Sequence, residues 1–258
     1  MLVVTVIAAA TMLLCAQAAA YAQDAVPGEI LSRTVFIKQK GSNGGGSAFT
    51  LDYEGKLYLV TARHVIEGIA GSGAIIEVRR SDKWEEYHTV KTLYPSSADA
   101  DIAVFETDET AAQPFGISPV GASTTAGVTL GQPVWFIGYP FGMSSIPAKG
   151  STMTELPFMK RGSMSAVDAS NPEAVVYYID GFNNPGFSGG SVLYWEFATR
   201  TYKILAVVKG YRLDTARAVI NGKQVETNVL VNSGILVSYS IQHALDAIEK
   251  NLSTVAPH

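Results

Sequence analysis

The chain has 258 residues, 47% of them hydrophobic and 16% charged, which excludes a disordered or highly charged tail protein and fits a folded globular chain. With 19 Lys and Arg against 23 Asp and Glu the net charge is -4, and without a Lys/Arg run no binding to nucleic acid or to an anionic membrane surface is expected. The only cysteine, Cys15, sits in the apolar N-terminal stretch, so the fold must be held by its core and not by disulfides.

Residues 1–22 contain no Asp, Glu, Lys or Arg. An apolar run from Leu2 to Ala20, followed by Ala20-Tyr21-Ala22, satisfies the small-x-small rule of an export signal. It predicts a mature chain that starts at Gln23 and resides in the periplasm or outside the cell. The same run has the length of an uncleaved anchor. Leu14, before Cys15, lacks the small side chain that a lipoprotein signal requires.

From Thr34 onward, short β-branched and aromatic runs alternate with clusters of Gly, Pro, Asn, Asp and Ser. The pattern predicts an all-β fold with strands at 34–38, 46–51, 56–61, 75–79, 86–93, 102–106, 134–139, 162–167, 175–179, 191–195, 203–209 and 234–239. The stretch 107–131, with little periodicity, divides them into two sets of about six. It reads as a linker between an N-terminal unit, 23–115, and a C-terminal unit, 116–258. One strong helical period closes the chain: Ile241, Ala244, Leu245, Ile248 and Leu252, behind Ser240, a residue type that caps helices.

Three segments carry chemistry. The apolar strand 58–62 ends at Arg63-His64, where a histidine can face a cleft as a general base or serve as a structural residue. Asp101 precedes the alternating strand Ile102-Ala103-Val104-Phe105, where it can orient a histidine or bond its own backbone in a turn, with Asp99 as the alternative. In Asn184-Pro185-Gly186-Phe187-Ser188-Gly189-Gly190-Ser191 the glycines allow backbone N–H groups to converge beside the Ser188 hydroxyl, or simply make a tight turn. The other histidines, His88, His243 and His258, lack ligand spacing and read as surface residues, so no metal is expected.

Taken together, these segments resemble the chymotrypsin-like serine proteases, and in particular the disulfide-free bacterial branch with the high-temperature-requirement proteases and glutamyl endopeptidases. Gly45-Gly46-Ser47-Ala48-Phe49 resembles the glycine-rich strand before the histidine, Thr61-Ala62-Arg63-His64-Val65 the T-A-x-H-V motif, and Asp101-Ile102-Ala103-Val104 the D-[IL]-A-V motif. Gly138-Tyr139-Pro140-Phe141-Gly142 is similar to G-x-P-x-G, and 184–190 to N-P-G-x-S-G-G. The resemblance spans Thr34 to Leu252. It implies two six-stranded antiparallel β-barrels with a C-terminal helix, His64 as base, Asp101 as its orienter, Ser188 as nucleophile, and an oxyanion hole from the Gly186 and Ser188 N–H groups. It further implies protein or peptide substrates, an acyl-enzyme mechanism and no cofactor. Phe182 falls at the base of the primary specificity pocket and Val207, Val208 and Lys209 along the substrate strand, which implies an apolar or an acidic preference.

The sequence departs from the family at Phe187, where Asn or Asp is usual, and an Asp-dependent zymogen switch is not expected. Two other readings accompany the protease: a catalytically silent barrel pair binding extended peptides along the 204–208 edge, and an α/β-hydrolase esterase built on Gly186-x-Ser188-x-Gly190 with Asp214 and His243. The esterase fold requires helices alternating with parallel strands, and the chain offers one convincing helix.

Overall fold

Antiparallel pairing between sequence neighbours dominates the chain, as expected where tight turns join short strands. The computed structural model describes residues 25–69, 71–80, 83–110, 128–146 and 155–255. The expected export signal, and the boundary expected at 115/116, lie outside the described residues.

After a single helical turn, α1 (Gly28–Leu31), come β1 (Thr34–Gln39), β2 (Gly46–Tyr53), β3 (Lys56–Thr61), β4 (Ile75–Arg80), β5 (Lys83–His88), β6 (Lys91–Leu93) and β7 (Ala103–Thr110). They form one seven-stranded sheet in the order β5-β4-β1-β2-β3-β7-β6. A two-residue loop joins β2 to β3, with Glu54 at φ 52° and Gly55 at φ 77°, the left-handed pair that matches strand twist. The predicted single strand 86–93 is two strands. Thr89 still donates its N–H to Ala74 O on the β4 side, while Val90 N–H already goes to Glu106 O of β7. The chain thus changes partner at a corner, and bonds between 71–74 and 89–92 draw the sheet's two edges together. The first of the two expected barrels is therefore present as a curled sheet of seven strands, one more than expected.

The second half contains β8 (Pro133–Gly138), β9 (Phe158–Asp168), β10 (Val176–Asp180), β11 (Ser191–Glu196), β12 (Thr201–Ile220) and β13 (Lys223–Ser240). These six close into a barrel in the order β10-β13-β12-β11-β8-β9. The strands β12 and β13 run well past the predicted ends at 209 and 234 and continue as a two-stranded ribbon to the Asn221-Gly222 turn, with φ 50° and 75°.

Each half has its own interior: Ile37, Leu59, Ile76 and Phe105 in the first, Phe136, Ile179, Leu205 and Leu236 in the second. A third cluster joins them, in which Phe49 and Val60 meet Trp135, Ile137, Leu193 and Ile204. The C-terminal helix α2 (Gln242–Val255) adds Ala244, Leu245 and Ile248 to that shared core, with Ile241 just ahead of it, and each Ile or Leu side chain contributes about 1.5–3 kcal/mol by burial. Ser240 caps it, its hydroxyl accepting the Gln242 N–H at 3.3 Å.

Candidate active site

β3 delivers Thr61 and Ala62 in extended conformation, and the chain then winds into a 3-10 turn over Arg63–Ile66 that carries His64. Asp101 lies just ahead of β7, the neighbour of β3 in the sheet, so strand pairing places the two residues side by side. The Asp101 carboxylate is divided between two tasks. Oδ1 accepts the His64 backbone N–H at 3.0 Å, and Oδ2 lies 2.6 Å from His64 Nδ1. The Asp101 carbonyl also accepts the Arg63 N–H at 3.3 Å. In a neutral imidazole a carboxylate at that distance favours the proton on Nδ1, which puts the lone pair on Nε2. The His64 side chain is 45% exposed while that of Asp101 is 14% exposed, so the carboxylate lies sheltered behind the imidazole. Asp99, the sequence alternative, instead faces Asn171 Nδ2 at 3.5 Å.

The Ser188 loop is held by its carbonyls. Pro185 O accepts the Phe141 N–H (2.7 Å), Gly186 O the Ser47 hydroxyl (2.7 Å), Phe187 O the Gly190 N–H (2.8 Å) and Ser188 O the Ser47 N–H (2.7 Å). Across a trans peptide each carbonyl opposes the next N–H, so fixing the carbonyls of Pro185 and Phe187 aims the N–H groups of Gly186 and Ser188 the other way. Among the described residues neither N–H has a protein acceptor. Glycine is required at 186, where φ is 100° and a Cβ would lie 2.1 Å from Tyr139 O, and at 189, where it would lie 2.1 Å from Ser47 O.

The Ser188 hydroxyl donates to the Lys209 carbonyl at 2.9 Å. His64 and Lys209 line one cavity of about 500 Å³, together with Tyr178, Tyr211, Arg212 and Tyr239. His64 and Lys209 thus line one cavity, with Asp101 held to the His64 ring and Ser188, two residues after Gly186, held to the Lys209 carbonyl. The other expected site residues do not. Val207 and Val208 are buried, and Val208 spends its N–H and C=O on Gly190 and Gly189, so the edge open to a peptide begins at Lys209 and not within 204–208. Phe182 is 58% exposed and does not line the cavity; its carbonyl accepts Lys160 Nζ at 2.8 Å. Burial pushes the Lys160 ammonium pKa below its ordinary value. Phe187 is fully buried in the second barrel's core, edge-on to Phe136 at 5.2 Å, so it anchors the loop from behind.

His243 is not the surface residue expected. It is 5% exposed, and its Nε2 accepts the Val175 N–H at 2.9 Å. Asp214 lies exposed on the ribbon, with a carboxylate oxygen 2.7 Å from the Thr215 N–H. The esterase triad has neither its geometry nor its parallel-stranded fold.

Ser47, Phe141 and Lys160 hold the loop from distant elements and were not legible as functional residues. The Gly45-Gly46-Ser47 run was the available signal, because a Cβ on Gly46 would come within 2.7 Å of Ser188 O.

Similar folds occur among solved structures. A serine endoprotease from Yersinia pestis matches at 18% identity and TM-score 0.53 over 86% of this chain and 63% of that one. The HtrA-type protease AlgW with tripeptide matches at 21% and 0.54 over 90% and 62%. Rv3671c from Mycobacterium tuberculosis H37Rv, as an inactive serine-to-alanine mutant, matches at 15% and 0.51 over 89% and 91%. The chain spans less than two thirds of the first two proteins' length, and at these identities the likeness is one of fold. No curated protein matches the sequence. A family profile described as trypsin-like peptidase domain matches residues 46–196, more than half of the chain and the segment that holds His64, Asp101 and Ser188. The chain belongs to the trypsin-like peptidase domain family.

Proposed function

We propose that the protein is an exported serine endopeptidase that cleaves peptide bonds through Ser188, His64 and Asp101. The observation that carries this reading is the His64 imidazole, fixed by Asp101 at 2.6 Å and facing the same cavity as the residue that holds the Ser188 hydroxyl. A serine hydroxyl is too weakly acidic to attack an amide unaided. His64 Nε2 takes its proton and later gives it to the leaving amine, while Asp101 remains charged and stabilises the imidazolium. The N–H groups of Gly186 and Ser188 receive the oxyanion, and water resolves the acyl-enzyme.

One step precedes attack. The Ser188 hydroxyl must leave the Lys209 carbonyl and turn to His64. A peptide laid along β12 supplies a backbone N–H for that same carbonyl, so substrate binding itself releases the hydroxyl.

The second reading, a silent barrel pair that binds extended peptides, is favoured by the hydroxyl's bond to Lys209 and by Phe187 before the serine. A fluorophosphonate probe on purified protein separates the two. The protease labels at Ser188, and neither Ser188→Ala nor the silent barrel labels. Export rests on the composition of residues 1–22, and N-terminal sequencing of protein recovered from periplasm or medium should give Gln23. An intact Met1 on membrane-bound protein overturns cleavage.

A further inference from the structure

The cavity beside His64 has a distinctive charge content. Lys209 and Arg212 contribute two cations and Tyr178, Tyr211 and Tyr239 three hydroxyl-bearing rings, and no lining residue is a carboxylate. Lys209 Nζ touches only the Tyr239 hydroxyl, at 3.5 Å, and lies 5.5 Å from the centre of that ring. Several cations elsewhere on this net-acidic chain lie against carboxylates, Lys38 with Glu77, Lys40 with Glu86, Lys56 with Glu106 and Arg79 with Glu155, while others such as Lys160 and Arg217 do not. Among the described residues, Lys209 and Arg212 have no such carboxylate. Two uncompensated positive charges in one concavity raise the local potential for an anion.

The backbone places a substrate over them. β11 pairs with β12 only as far as Val207, and Val208 is tied to the Ser188 loop, so from Lys209 onward β12 has, among the described residues, a strand partner on one side only, β13. A peptide added antiparallel to this edge, with its scissile carbonyl at Ser188, runs its N-terminal side past Tyr211 and Arg212. Because successive side chains of an extended chain face opposite ways, one of the side chains passing Tyr211 and Arg212 is turned toward the cavity.

We infer that this cavity is a specificity site for an acidic side chain, Asp or Glu, carried two or three residues N-terminal to the scissile bond. The inference rests on the peptidase reading for the direction of the bound chain. The tyrosine hydroxyls add donors to the same carboxylate, and Lys209 and Arg212 set the sign of the selection.

The test is a set of fluorogenic peptides with Glu, Gln or Lys at each of the four positions before the cleaved bond. At one position Glu should exceed Gln in kcat/KM by about tenfold, the scale of a charge-assisted hydrogen bond in a partly exposed site. The preference should shrink with added salt. Lys209→Gln and Arg212→Gln should each lower the Glu-to-Gln ratio, and Arg212→Glu should turn the preference toward Lys. A ratio near one at every position, or a ratio that neither substitution alters, overturns the inference. If no peptide is turned over, the same Glu and Gln peptides are titrated against Ser188→Ala and read by fluorescence anisotropy. Tighter binding of Glu that is lost in Arg212→Gln supports the acidic site while the peptidase reading fails; equal binding overturns the acidic site itself.

Discussion

Ser47→Ala separates the support of the nucleophile loop from the chemistry it performs. The Ser47 side chain is fully buried; its hydroxyl donates to Gly186 O at 2.7 Å and accepts the Tyr139 N–H at 3.0 Å. Alanine leaves both groups buried without a partner, at about 1–3 kcal/mol each, or roughly 2–6 kcal/mol together. At about 2–4 °C per kcal/mol for a chain of this size, melting should fall by roughly 4–24 °C. The Ser47 N–H remains on Ser188 O, so the nucleophile keeps its place. What loosens is the peptide plane that follows Gly186, and with it the alignment of one oxyanion donor. Complete loss of such a donor costs about 10²–10³ in kcat, so partial misalignment should cost about 10–100-fold. KM should change little, because the substrate edge at Lys209 is untouched. The assay is kcat and KM on a peptide ester well below the melting point, with Ser47→Cys as a partial rescue through its weak donor. An unchanged kcat beside the full loss of stability makes Ser47 a structural residue only and refutes its positioning role.

The triad should fail as a unit: Ser188→Ala and Ser188→Ala/His64→Ala should retain nearly the same residual turnover, Asp101→Asn should fall by orders of magnitude, and an active Asp101→Asn beside a dead Asp99→Asn would change the third member. Phe187→Ala should cost about 3–5 kcal/mol in urea unfolding, since it empties a fully buried site against Phe136, and a cost under about 1 kcal/mol would remove its anchoring role. Gly189→Ala, with a Cβ 2.1 Å from Ser47 O and 2.3 Å from Thr61 Oγ1, should abolish labelling by fluorophosphonate, and normal labelling would refute the demand for glycine there. For His243, desolvation by burial lowers the imidazole pKa below its ordinary 6.5 against the opposing pull of Asp246 and Glu173, and the neutral ring is the form whose Nε2 accepts the Val175 N–H. The unfolded chain therefore binds more protons in that window, so His243 contributes stability above pH 6.5 that is lost as pH falls toward the lowered folded value. His243→Gln should flatten the fall of the urea midpoint between about pH 7 and 5, and an unaltered slope would refute the assignment.

What the sequence discloses about this site is the chemistry that sits at strand ends. His64 follows β3 and Asp101 precedes β7, so runs such as Leu59-Val60-Thr61 and Ala103-Val104-Phe105, buried at every position, mark both strands as short continuous apolar segments and place both residues at strand ends. The supports are invisible to that kind of reading. Ser47 meets Tyr139 across 92 residues and Gly186 across 139, and no local period encodes a hydroxyl that bridges two halves of a chain. The same holds for Phe187, which looks anomalous beside a serine until the core of the second barrel is built around it.

The ribbon beyond Lys209 was missed for the opposite reason. Alternation marks a strand only when one face is buried, and between 212 and 234 both faces meet water, with Leu213, Val219 and Leu230 all more than half exposed. The one local signal was Asn221-Gly222, a strong hairpin dipeptide, which places the turn without revealing the strands on either side. The helix misled by having two buried faces. The stripe Ile241, Ala244, Leu245, Ile248 reads as its apolar side, yet His243 and Asn251 are buried as well, and Asn251 bonds Lys91 and Glu106 of the first half. A polar residue on a helix reads as solvated unless its partner is known, and here each partner lies in a strand far away in sequence. The chemistry is therefore written locally, while its rigidity depends on contacts between halves. Variants such as Ser47→Ala, which cut those contacts, test the fold and the function together.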